Sequence, residues 1–241
     1  MKKKFAVFDI DGTLIRWQLY HAAVDALASK GHLGLDASEQ IHAERMTWKK
    51  RAHLEAFSDY EKFMIGLYEK ALINLQPKIF DQIVNEVAEK YKDQVYTYTR
   101  DLILQLKKDG YFLLAISGSH NELVEIVAKQ HGFDDWIGST YNRNGDKFTG
   151  EIKVVSQNKK TELEKLITRH DLTTKGSYAI GDSHSDAVMM DMVSNPIAFN
   201  PDRRLFDYSR AKGWRIVVER KNMIYELEEH NGKYLLAKTN I

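Results

Sequence analysis

Residues 5–14 read Phe5-Ala6-Val7-Phe8-Asp9-Ile10-Asp11-Gly12-Thr13-Leu14. The run from Phe5 to Ile10 is apolar except for Asp9, and its apolar residues do not alternate with polar ones. That pattern suits a strand buried on both faces of a parallel sheet. Two later runs repeat it. Tyr111 to Ile116 ends at Ser117-Gly118-Ser119, and Ser177 to Ile180 ends at Gly181-Asp182. A helical stretch follows each of the two, over Asn121–His131 and Asp186–Val193. Shorter strands are expected at Ile197–Phe199 and Trp214–Val218. The strand–loop–helix rhythm predicts an α/β fold with a Rossmann-like parallel sheet core.

Residues 16–95 break that rhythm, with four helical segments and no strand between them. Trp17 to Ser29 stops at Gly31. Asp36-Ala37-Ser38-Glu39 and Ser58-Asp59-Tyr60-Glu61 resemble capping-box starts, and Pro77 suits a first helical turn. The expected organisation is an α/β catalytic core over 1–15 and 96–241, with an inserted all-helical cap over 16–95. Asn144-Gly145 lies between two short runs and signals a hairpin.

The totals narrow the function classes. The chain has 241 residues, a formal net charge of +1 and no Cys. A near-neutral balance gives no electrostatic footprint for nucleic acid. The absence of Cys removes disulfides, thiolate zinc sites and cysteine nucleophiles. Lys2-Lys3-Lys4 is followed by too short an apolar run for a signal peptide, and no window reaches a membrane span, so a cytoplasmic protein is expected. No feature points to an oligomeric state.

Chemistry concentrates at the strand ends, where open α/β sheets bind ligands. Asp9 and Asp11 converge if Gly12 turns the chain, so that one acid can attack while the other shuttles a proton. An EF-hand is excluded, because Leu14 and Tyr20 stand where the calcium loop needs Gly and Glu. No Walker A segment accompanies the acids, which argues against a P-loop NTPase. Ser117 and Gly118 offer a hydroxyl and backbone N–H groups for a phosphate. Asp182 and Asp186, brought beside Asp9, would make a hard oxygen site suited to Mg²⁺. Lys159 can neutralise a transferring phosphoryl group. An isolated member of this set reads as a turn, a cap or a surface lysine. Together, in this order, they argue for one site.

The four sites resemble the motifs of the haloacid dehalogenase superfamily. Asp9 to Leu14 matches its first motif, D-x-D-G-T-[LV]. Ser117 matches the second, Lys159 the third, and Gly181 to Asp186 the G-D-x-x-x-D of the fourth. The insertion between the first two motifs is similar to the phosphoserine-phosphatase-like subfamily, as are Phe148-Thr149-Gly150, Asn200-Pro201-Asp202 and Gly213-Trp214. Lys160 competes for the third motif, but the spacing to Leu163, Leu166 and Gly181 favours Lys159.

The resemblance implies a Mg²⁺-dependent phosphatase acting on a small phosphorylated metabolite, with neither nucleic acid nor membrane as partner. Asp9 would be the nucleophile that becomes an aspartyl-phosphate, and Asp11 the general acid/base. Mg²⁺ would be held by Asp9, the Asp11 carbonyl and Asp182. Ser117, Gly118 and Lys159 would bind phosphate, and Asp186 would support the metal site or orient Lys159. Trp17 and Gln18 are candidate substrate contacts. Phosphoserine phosphatases usually place Glu where Gln18 stands, and a neutral amide cannot pair with the substrate amine, which argues against phosphoserine. Phosphotransfer or mutase chemistry on the same scaffold is the alternative. A phospho-acceptor signalling module is a more distant one.

Overall fold

The structure, a computed structural model, describes residues 2–53 and 55–240. Strand β1 (Lys3–Phe8) leads into helices α1 (Leu19–Ser29), α2 (Ala37–Lys49), α3 (Ala56–Leu72) and α4 (Pro77–Tyr91). Then come α5 (Thr97–Lys108), β2 (Phe112–His120), α6 (Asn121–His131), and the hairpin of β3 (Asp135–Asn144) and β4 (Lys147–Lys153). The remainder is α7 (Lys159–Arg169), β5 (Leu172–Gly181), a 3₁₀ turn at His184–Asp186, α8 (Ala187–Met190), β6 (Asn195–Phe199), α9 (Arg203–Lys212), β7 (Arg215–Arg220), β8 (Met223–His230) and β9 (Lys233–Asn240).

The chain forms two compact units. One comprises Met1–Gln18, Tyr91–Ser139 and Val154–Ile241; the other comprises Leu19–Lys90 and Thr140–Lys153. In the first, the strands run in the order β3-β2-β1-β5-β6-β7-β8-β9, parallel from β3 to β7 and antiparallel beyond. Strand β1 is central, and Phe5 to Phe8 are fully buried, as the unbroken apolar run predicts. From β1 the chain builds outward through β2 and β3 on one side, then returns through β5, β6 and β7 on the other. The switch point lies at the end of β1. Helical residues such as Leu163 and Leu166 join Phe5, Val7, Leu114 and Ile216 in one core.

In the second unit, α3 buries Ala56, Tyr60, Met64, Tyr68 and Leu72, an unbroken stripe at every fourth residue. The two expected capping boxes do not form. Asp36 stands before α2 but makes no side-chain cap bond, and α3 begins at Ala56, which puts Ser58 inside its first turn. This unit is not wholly helical either, because the hairpin tip joins it. The Phe148 ring meets Phe80 edge-on at 5.5 Å, and Arg143 pairs with Asp81 at 2.8 Å. The connecting segments fall instead in the α/β unit. Ile15 pairs with Val95, and Arg16 N–H donates to the Gln94 carbonyl at 2.8 Å. The helical unit therefore runs Leu19–Lys90 rather than over 16–95. Among the described residues no helix is long and apolar enough to cross a membrane.

Candidate active site

Asp9 continues the ladder of β1 by donating its N–H to the Ile180 carbonyl at 2.9 Å. The chain then turns sharply, and the N–H groups of Leu14 and Ile15 both return to the Ile10 carbonyl, at 3.0 and 2.9 Å. Gly12 takes φ +80°, and a Cβ there would lie 2.1 Å from Asp182 Oδ2. Only glycine meets both demands. The turn is braced by Thr99, whose hydroxyl donates to the Thr13 carbonyl at 2.8 Å.

Lys159 opens α7 and is only 2% exposed, whereas Lys160 faces solvent. Its ammonium donates to Asp9 Oδ1 at 2.6 Å and to Asp186 Oδ1 at 2.5 Å. This placement separates the two candidate lysines by burial and contact. Asp186 Oδ2 accepts from both the N–H and the hydroxyl of Ser183, each at 3.0 Å. Both Asp186 oxygens are thus engaged by protein donors, which suits a residue that orients Lys159. Gly181 leaves room for it: a Cβ there would lie 2.4 Å from the Asp186 side chain.

Ser117 donates to Asp11 Oδ2 at 2.6 Å and accepts the Ser119 N–H at 2.9 Å. It lies where the register between β2 and β3 breaks, with four steps from Ile116 to His120 matched by two from Ile137 to Ser139. The resulting bulge turns Ser117 toward Asp11. The Gly118 carbonyl accepts the Ser139 hydroxyl at 2.7 Å. Trp17 and Gln18 are half-buried, and Trp17 contributes a main-chain carbonyl to the Gly12 N–H at 3.2 Å. Among the described residues, their side chains make no hydrogen bond to the acidic cluster.

Asp9, Asp182 and Asp186 each offer a carboxylate oxygen, and these lie within 4.8 Å of one another. An all-oxygen, anionic donor set of this kind fits Mg²⁺. The Asp11 side chain is not one of the three, and its Oδ2 accepts the Ser117 hydroxyl. The Asp9 carboxyl is pushed up to about 7, chiefly by burial, with Lys159 opposing the rise and the charges of Asp186 and Asp11 adding to it. Burial, then the charges of Asp9 and Asp186, hold Asp182 well above the ordinary carboxylate range. For Lys159 burial opposes the charge, but Asp186 and Asp9 outweigh it and raise its pKa. A bound divalent cation would favour the ionised carboxylates.

Sequence reasoning missed two contributors. The Thr13 hydroxyl donates to Asp182 Oδ1 at 3.4 Å, and Ser183 holds Asp186. Thr13 was visible as a motif position without a role, and Ser183 is a variable position of G-D-x-x-x-D. His184 packs edge-on to Tyr208 at 5.8 Å.

A Rossmann-like sheet with two aspartates at the end of its central strand, a buried lysine and further aspartates after β5 defines a hydrolase class with a carboxylate-lined centre. The haloacid dehalogenase-like hydrolase family matches residues 6–191, and the chain belongs to that family. The chain is similar to phosphoserine phosphatase SerB1 of Mycobacterium tuberculosis, 27% identical over 157 residues, which cover 64% of this chain and 49% of the relative. It is also similar to histidinol-phosphatase of Neisseria meningitidis serogroup C, 24% identical over 89% of this chain and 98% of the relative. A solved structure titled phospho-aspartyl intermediate analogue of phosphoserine phosphatase shares the fold, with a TM-score of 0.63 and 20% identity over 92% of this chain and 95% of that one. The chain spans about half the length of the first curated relatives it matches, 49% and 55%.

Proposed function

We propose that the chain is a Mg²⁺-dependent phosphomonoesterase that hydrolyses a small phosphorylated metabolite through an aspartyl-phosphate on Asp9. The observation that carries this reading is the buried contact of Lys159 with Asp9 and Asp186, beside Asp182 and the Asp11–Ser117 pair.

The Lys159 bond to Oδ1 orients the Asp9 carboxylate and leaves Oδ2 as the attacking atom. In the first step a bond forms from Asp9 to phosphorus and the ester P–O bond breaks. Asp11, protonated, gives its proton to the departing oxygen. In the second step Asp11 takes a proton from water as that water attacks phosphorus, and phosphate and free Asp9 result. Ser117, Gly118 and Lys159 hold phosphate oxygens, and Asp186 keeps Lys159 in place. Mg²⁺ held by Asp9, Asp182 and the Asp11 carbonyl would supply the positive charge that lets an anionic phosphate approach a carboxylate. Substrate choice belongs to residues from 16 onward, and the neutral Gln18 favours a substrate other than phosphoserine.

The test is phosphate release from a panel of phosphorylated metabolites and an aryl phosphate, with Mg²⁺ and with a chelator. Activity is expected with Mg²⁺ only, and Asp9→Asn should remove it by a factor of at least about 10³. Asp9→Asn at near wild-type rate would sink the nucleophile assignment.

A further inference from the structure

The loop that carries Asp11 also carries a cation the reaction scheme leaves unused. Gly12 N–H donates to the carbonyls of Ile15 at 3.0 Å and Trp17 at 3.2 Å, so residues 12–17 close on themselves with Arg16 between the two acceptors. The Gly12 end of that closed loop abuts Asp182. The far end is pinned twice: Arg16 N–H donates to the Gln94 carbonyl at 2.8 Å, and Tyr96 N–H donates to the Leu14 carbonyl at 2.9 Å. Ile15 bridges Val95 in antiparallel sense, and Arg16 and Tyr96 meet on one face of that bridge.

On that face the Arg16 guanidinium lies over the Tyr96 ring, 5.3 Å from its centroid. Tyr96 is itself held edge-on by the buried Phe199 at 4.9 Å. Phe199 follows Ala198, which pairs with Gly181 next to Asp182, so this platform stands beside the acidic cluster. Arg16 is exposed, and among the described residues it makes no ion pair. The backbone bonds already anchor the loop, so the guanidinium is not needed for that. An arginine stacked by one face on an aromatic ring presents its N–H edge outward, in the geometry that receives a carboxylate or phosphate in two parallel bonds.

We propose that Arg16 is a specificity-determining residue that binds a second anionic group on the leaving portion of the substrate, so that the preferred ester carries a carboxylate near its phosphate. This rests on the phosphomonoesterase reading above.

The experiment compares ethyl phosphate with 2-carboxyethyl phosphate, for wild type, Arg16→Met and Arg16→Lys, with Mg²⁺. Wild type should prefer the carboxylated ester. Arg16→Met should lose about ten- to a hundredfold in kcat/KM on that ester, mainly through KM, as expected for one charge-assisted bidentate contact. Ethyl phosphate should change less than about twofold, and Arg16→Lys should restore part of the loss by returning charge without the fork. Equal loss on both esters would overturn the inference in favour of general charge compensation. So would a wild type that turns over both esters without preference, while the phosphatase reading stood. A wild type inert toward both esters and toward the whole metabolite panel would overturn both.

Discussion

Lys159 carries two buried carboxylates on one ammonium, and its removal leaves Asp9 and Asp186 facing Asp182 with no cation among them. Burying like charges without compensation is among the costliest single changes a core can suffer. Lys159→Met is therefore expected to lower stability by about 3–5 kcal/mol and to abolish phosphate release. A thermal melt checks the first. Added Mg²⁺ should raise the melting temperature of the variant more than that of wild type, because the cation replaces charge that only the variant lacks. A melt unchanged by the substitution would mean that the three acids do not need the lysine. The lysine itself was legible in the sequence, since motif order and spacing to Leu163 and Gly181 select Lys159 over Lys160. The use of both Asp186 oxygens was not, because it depends on Ser183, whose backbone N–H no motif can encode. Nor was the platform under Arg16, which joins residue 16 to residue 96 through a two-residue bridge.

Helix α5 shows why an element can be legible while its anchorage is not. Its N-cap residue is Tyr96, which supplies no side-chain acceptor to the first turn. The acceptor comes from β7 instead: the Glu219 carboxylate receives Thr97 N–H at 3.1 Å and Tyr98 N–H at 2.9 Å. A carboxylate at a helix N-terminus satisfies orphan donors and opposes the helix dipole. Glu219→Ala is expected to cost about 1–2 kcal/mol, seen as a lower urea midpoint with unchanged slope; a midpoint equal to wild type would show that water serves the helix as well. No pattern within 97–108 points to a partner that far along the chain. The C-terminal hairpin failed to be read for a different reason. Asn231-Gly232 carries the same turn signal as Asn144-Gly145, and both residues take positive φ, 52° and 77°. Its strands, however, are largely exposed and rich in Glu and Lys, and the short apolar runs at 223–225 and 234–237 do not mark strands buried on both faces. The strands buried on both faces announced themselves because burial leaves few polar residues in the run, Asp9 and Ser177 among them.

At the scale of the whole chain, the division into two units does not follow the division into helix and strand. The reading of 16–95 as an all-helical insertion captured the absence of strands there, but the hairpin tip at Thr140–Lys153 belongs with the helices. Its sequence distance from α4 hid this, and four side chains explain it. Phe148 is 4% exposed and meets Phe80 edge-on, and the Arg143 guanidinium lies 5.3 Å from the Phe80 centroid and 5.1 Å from that of Phe148. The Arg143 pair with Asp81 closes the cluster. Removing one aromatic ring from such a site leaves a cavity and strips the cation of a stacking partner. Phe148→Ala should therefore weaken the helical unit by about 3–5 kcal/mol and leave the α/β unit nearly unchanged. Hydrogen exchange resolves the two, since local opening is read segment by segment. Protection should fall in α4 and β4, while amides of β1 and β5 keep wild-type rates. If protection fell equally in both, the chain would unfold as one cooperative body, and the hairpin's allegiance to the helices would have no energetic meaning.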